Sequence, residues 1–170
     1  MRIQEILATL EREGTHETYP RALAADLERT ERMIDAPLPG SYRAFVTQFS
    51  NGAYVFELQE ISAVGAGNEQ IGPIERFPGG SGAIDSPAGP LEAQALVPFS
   101  FDSNGNYWCF LTSLPDADGE YPVAYFDAES SRLVAQLAGF EQWLTILTER
   151  KDEVIRVLDG GRYVDELNLG

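Results

Sequence analysis

The sequence predicts an α+β fold, with helices and strands in separate runs of one chain. Three observations point there. Apolar residues recur every three or four positions through the first fifty residues and again near 140–148, the spacing of one helix face. From Tyr54 the period shortens to two, and short apolar, aromatic-rich runs follow, separated by turn residues. Between two of these runs lies Asn104-Gly105, a pair suited to the positive φ of a tight hairpin turn.

Ile3, Ile6, Leu7 and Leu10 line the first helix, and Gly14 stops it. GTHETYP is a connection. Leu23, Leu27, Thr30 and Ile34 give a second stripe that ends near Asp35, because Pro37 and Pro39 both forbid continuation. Pro39 sits at or just before the first turn of a third helix, where its missing N–H costs nothing, with Ser41 as the candidate cap. Tyr42, Phe45, Val46 and Phe49 form its buried face, and Asn51-Gly52 ends it. A strand then begins, with Tyr54, Phe56 and Leu58 alternating with Val55 and Glu57, and residues 59–64 continue the sheet.

Residues 65–90 hold seven glycines and four prolines without sustained periodicity, a long loop of the kind that is either functional or mobile. Strands at 95–101 and 107–111 flank the Asn104-Gly105 turn. A polar loop at 115–120 leads to a strand in PVAYFD, with 133–137 as an edge strand. Phe140, Trp143, Leu144 and Leu147 then make a closing helical face, and Val154, Val157 and Leu158 suggest further turns before a polar tail. One domain over 1–170 is expected, with a core at about 22–147, the Gly/Pro-rich loop at 65–90 and a C-terminal helix and polar tail at 149–170.

With 44% hydrophobic and 23% charged residues the chain has the composition of a folded soluble protein. Its charged start does not resemble a signal peptide, and no stretch is apolar and long enough to cross a bilayer as a helix. A cytoplasmic location is expected, and the lone Cys109 fits because it permits no intrachain disulfide. The formal net charge of -15 opposes binding to nucleic acid or anionic membranes and favours a cationic partner. The excess is uneven: residues 51–148 carry 13 acids against 2 bases, a one-sign field that solubility alone does not require.

Gly65, Gly67 and Gly72 have the wrong spacing for a phosphate loop, and no Lys follows them. GGSGA around Ser81 imitates half a nucleophile elbow, but it lies in a loop and His16 is the chain's one histidine. DSNGN and DADGE open like calcium loops yet lack glutamate at the twelfth position, so both are read as tight turns. One His and one Cys do not furnish a structural zinc site, and Cys109 reads as a small core residue. No metal or cofactor is expected. A hydrolase using paired carboxylates stays open on residue count, and would require a deep pocket with two convergent acids of raised pKa.

Glu31, Ile34, Leu38-Pro39, Tyr42, Phe45 and Asn51-Gly52, followed by VPFSFDSNGN and GFEQWL, together resemble the SUKH superfamily over about residues 22–147. That family comprises bacterial immunity proteins related to the yeast Smi and Knr cell-wall regulators. The resemblance implies helices packed on a mainly antiparallel, twisted sheet and no enzymatic activity. It also implies a partner, the C-terminal domain of a polymorphic toxin, often a nuclease or deaminase and hence basic, which the immunity protein neutralises by stoichiometric binding. The alternative is a regulatory protein-binding module of the Smi/Knr type. For a basic partner the candidate contacts are Glu57, Glu60, Glu69, Glu75 and Asp85 on the first strand and long loop, and Asp116, Asp118 and Glu120 on the later loop. Phe77 is either an apolar anchor for that partner or a cover for the core.

Overall fold

The structure, a computed structural model, describes residues 2–14, 16–55, 59–102 and 105–149. Phe56, Glu57 and Leu58 of the expected first strand, Asn104 of the hairpin turn, and the expected helical face of Val154, Val157 and Leu158 with the polar tail beyond it lie outside the described residues.

The helices are α1 (Arg2–Glu13), α2 (Ala24–Ile34), α3 (Gly40–Ala44) and α4 (Phe140–Glu149), and α3 runs on into a π-helical turn, Phe45–Phe49. Seven strands form one sheet: β1 (Glu17–Thr18), β2 (Ala53–Val55), β3 (Gln59–Ile61), β6 (Leu96–Phe101), β7 (Tyr107–Leu111), β8 (Val123–Asp127) and β9 (Arg132–Leu137). A separate two-stranded ribbon pairs β4 (Ala83–Ile84) with β5 (Leu91–Glu92). Sheet order is β1-β2-β3-β6-β7-β8-β9, and every neighbouring pair is antiparallel. The α+β class with an antiparallel sheet is therefore the architecture the chain adopts.

Helix ends show why these segments start and stop where they do. At α2 the Asp26 carboxylate accepts the Leu23 N–H at 2.9 Å, and Asp35 at φ 55° closes the C-terminus with its N–H on the Glu31 carbonyl. Leu23 therefore occupies the cap rather than the apolar stripe, and is 71% exposed. Leu27, Thr30 and Ile34 are the buried residues of that helix. Pro39 is the N-cap of α3, but Ser41 does not cap its own helix. The cap comes from Glu120, whose carboxylate accepts the Ser41 N–H at 2.7 Å and the Ser41 hydroxyl at 2.6 Å.

Tyr42, Phe45, Val46 and Phe49 are all buried, as the helical spacing predicts. The Tyr42 hydroxyl donates to the Ser62 carbonyl at 2.5 Å, and burial pushes its pKa up. Phe45, Phe140 and Trp143 pack with Phe99, Trp108 and Phe110 on the sheet, where Phe99 and Phe110 stack at 4.3 Å. This is the main core, between the helices and one sheet face. Asn51-Gly52 does more than end a helix. The Asn51 amide accepts the Val64 N–H at 2.8 Å and donates to the Val64 carbonyl at 3.3 Å. At Gly52, with φ +79°, a Cβ would stand 2.7 Å from Ile71 Cγ2, so the loop closes over a residue that must have no side chain.

The other sheet face has its own, smaller cluster. Phe77 covers it, with Leu96, Tyr107, Cys109, Leu111, Phe126 and Leu133 beneath. Cys109 is fully buried there, as a small core residue, and burial pushes its thiol pKa up. The long loop is thus structured rather than free. Residues 62–75 are held to α2 by the Gly65 N–H on Thr30 Oγ1 at 2.8 Å and closed on themselves by the Ile74 N–H on the Ala63 carbonyl at 2.8 Å. The 77–92 stretch carries the β4–β5 ribbon and is tied to the sheet edge by Leu133 N–H on the Asp85 carbonyl at 2.9 Å.

Candidate functional site

Strand register assembles a row of side chains across this outer face. Glu17 lies opposite Tyr54, Tyr54 opposite Glu60, Glu60 opposite Phe101, Phe101 opposite Tyr107, Tyr107 opposite Phe126, and Phe126 opposite Leu133. Directly opposed residues share a face, so the row runs from β1 to β9 on one side of the sheet. Its two halves differ. On β7–β9 the Phe77 ring stands edge-on to Phe126 at 5.0 Å and to Tyr107 at 5.9 Å and closes that half. On β1–β6 the cover stops: Phe101 is 37% exposed, Tyr54 and Glu60 are half-buried, and Glu17 is exposed.

The open half is acidic and aromatic. The Tyr54 hydroxyl lies 3.3 Å from a Glu60 carboxylate oxygen and 3.4 Å from the Gln70 carbonyl. Burial, then Glu60 and Glu17, raise the pKa of Tyr54, and burial, then Glu17 and Glu60, raise that of Tyr19. The four residues therefore lie within one electrostatic neighbourhood. Burial also raises the Glu60 carboxyl pKa, against bonds from Tyr54 and the Gly72 backbone that lower it. Among the described residues the ion pairs are Arg2–Glu149, His16–Glu13, Arg21–Glu11 and Arg43–Glu31, and none involves Glu17, Glu60 or Glu69. The two bases of the acidic stretch stand elsewhere, Arg76 on the Met33 carbonyl at the end of α2 and Arg132 beside Asp127 on β9.

The acids singled out from sequence do not share one face. Glu60 and the exposed Glu69 stand by the open half of the row, and Glu57 lies outside the described residues. Asp116, Asp118 and Glu120 follow the far end of β7, so the length of that strand, about 13 Å, separates them from the level of Glu60. Asp85 stands beyond β9, four strand spacings or about 19 Å across the sheet from β3. Glu75 is exposed beside Arg76, near the end of α2.

Two of these acids are occupied internally. Asp116 Oδ1 accepts the Asp118 and Glu120 N–H groups, both at 2.9 Å, which makes DADGE a tight turn. Glu120 caps α3 as described. Phe77 is 7% exposed and packs in the cluster with Tyr107 and Phe126.

Beside this geometry stands one comparison with known proteins: the model of the SMI1 / KNR4 family (SUKH-1) matches residues 21–146. The chain belongs to this family. No curated protein matches it. The SUKH-1 segment runs from just before α2 into α4, and the residues that carry the resemblance have visible duties within it. Glu31 accepts the Leu38 N–H at 2.9 Å and pairs with Arg43, fixing the Leu38-Pro39 entry to α3. The Tyr121 hydroxyl holds the Pro37 carbonyl at 2.8 Å. Glu17 and Tyr19 precede the matched segment, so β1 adds to the open strip from outside it. Family membership carries a protein-binding role of the immunity or Smi/Knr type. No helix of the described residues is long and apolar enough to cross a membrane.

Sequence reasoning missed Glu17, Tyr19, Tyr54 and Phe101 as surface candidates. The two-residue β1 has no periodicity to detect, and Tyr54 and Phe101 look like core residues until register assigns their face. Charge gives no signal at Glu17 either, because Arg21 stands four positions on along the chain, whereas Glu60 has no base within four.

Proposed function

We propose that this SUKH-1 protein is an immunity protein that neutralises a cognate polymorphic toxin, a nuclease or nucleic-acid deaminase, by direct stoichiometric binding through its acidic outer face. The observation that carries the reading is the open, acidic and aromatic half of the sheet, whose carboxylates make no ion pair among the described residues. An enzyme that holds phosphates does so with Lys and Arg, and an acidic surface competes for that cleft and speeds encounter by steering. Family membership supports a protein partner. A stable complex would bury about 800 Å² on each side, more than the strip alone, so the flanking 68–70 turn is expected to contribute.

The test is co-expression with the C-terminal domain of the secreted protein encoded directly upstream. A 1:1 complex that abolishes the toxin's activity is expected. Absence of a complex, together with unprotected cells, would sink the immunity role.

A further inference from the structure

The geometry points to a specific occupant for the open strip: Glu17, Tyr19, Tyr54, Glu60 and Phe101 receive an arginine-bearing segment of the protein partner. This rests on the partner-binding reading above and adds the residues and the chemistry of the contact.

Charge complementarity favours a cation. The strip holds two carboxylates, Glu69 flanks it, and no described Arg pairs with any of the three. Glu60 is half-buried with no counter-charge among the described residues, and burial holds its carboxyl above the usual range, so a cation seated beside it would gain more than at a fully solvated acid. The register places a tyrosine between the two acids, with Glu17 and Glu60 each directly opposite Tyr54. A planar guanidinium stacks on a phenol ring while its edge donates to a carboxylate, a combination that a compact ammonium matches poorly. Phe101, 37% exposed at the inner end of the strip, offers apolar contact to the residue beside that arginine. The face is also limited. Beyond Phe101 the Phe77 cover begins, so the occupant lies over β1–β6 and not across the whole sheet.

The probe is the peptide acetyl-Gly-Trp-Arg-Gly-Arg-Gly-amide, titrated into the ¹⁵N-labelled full chain, with its lysine counterpart as control. Saturable amide shifts are expected at 17–19, 53–55, 59–61 and 100–102, with weaker binding of the lysine peptide. Tyr54→Ala combined with Glu60→Gln should weaken binding about tenfold, whereas Asp118→Asn, which removes the same charge from the far end of the sheet, should leave it within about twofold. If the alanine variant loses its fold, Tyr54→Leu keeps the apolar bulk and removes the ring, and the same loss is expected. Shifts spread over the acids at large, or an equal loss with Asp118→Asn, overturn the assignment.

The toxin complex is read separately. A native complex indifferent to Tyr54→Ala with Glu60→Gln would end the strip assignment and leave toxin binding standing. Peptide shifts confined to the strip, without any complex with the upstream toxin domain, would support the strip and end the toxin reading.

Discussion

The two faces of the sheet are built by different rules. On the helix face, residues from both ends of the described chain meet: Leu10 from α1, Phe45 from the α3 turn and Phe140 with Trp143 from α4, all fully buried against Phe99 and Phe110. On the outer face a single excursion between β3 and β6 brings Phe77 over half the strands and leaves the rest open. The first face is filled by the helices packed on it. The second is only partly covered, and where its cover ends stand Glu17 and Glu60, which make no ion pair among the described residues. Scaffold and surface are thus separated within one sheet by the alternation of side chains along each strand.

Four substitutions break or sharpen that contrast, in order of decreasing effect on stability. Phe45→Ala opens a cavity in the main core and should cost about 3 to 5 kcal/mol in denaturant melts, unfolding both faces together. Phe77→Ala should cost about 2 to 3 kcal/mol, because its pocket borders solvent and can collapse in part. Hydrogen exchange should show faster opening at 77–93 while α3 and α4 keep their protection, and equal loss on both faces would mean that the two clusters are one cooperative unit.

Glu120→Ala removes the remote cap of α3 and should cost about 1 to 2 kcal/mol by thermal melt without altering binding at the strip. A binding loss there would move the functional surface to the opposite strand ends. Glu60→Gln should act with the opposite sign. Burial raises the pKa of Glu60 in the folded chain, so its contribution to stability is complete below the unfolded value of about 4.3 and is lost as pH rises through the folded one. The variant should therefore melt higher than the parent at pH 7 and equally at about pH 3.5, while binding a basic partner less tightly at neutral pH.

Most of the scaffold was legible because its signals are local. The 3.6-residue period of α1, the Pro39 start of α3, the runs that became β6 to β9 and the face of α4 all lie within a dozen residues of their own causes. The surface was not legible for the converse reason. Glu120 caps a helix 79 residues away, and no local pattern distinguishes it from Asp118, which stays exposed. Phe77 was ambiguous until Tyr107 and Phe126 were seen beneath it, and the scatter of the acids over the molecule follows from strand order, which composition does not encode. Strand β2 is an intermediate case: its start was detectable at Tyr54, but Ala53 and Val55 face the core, and Tyr54 faces out.

The excursion between β3 and β6 has one more consequence. Its two ends leave the sheet as neighbours, with the Ser62 N–H on the Phe99 carbonyl at 2.8 Å, so the chain departs and returns at nearly the same place. Lengthening such a closed detour is cheap, about 0.6 kcal/mol for each doubling, because its ends are already held together by the strands on either side. Residues 86–89, the turn between β4 and β5 beyond the Phe77 plug, therefore form a natural graft point. Foreign peptide inserted there would be displayed near β9, away from the open half of the sheet, without disturbing the helices that hold the molecule together.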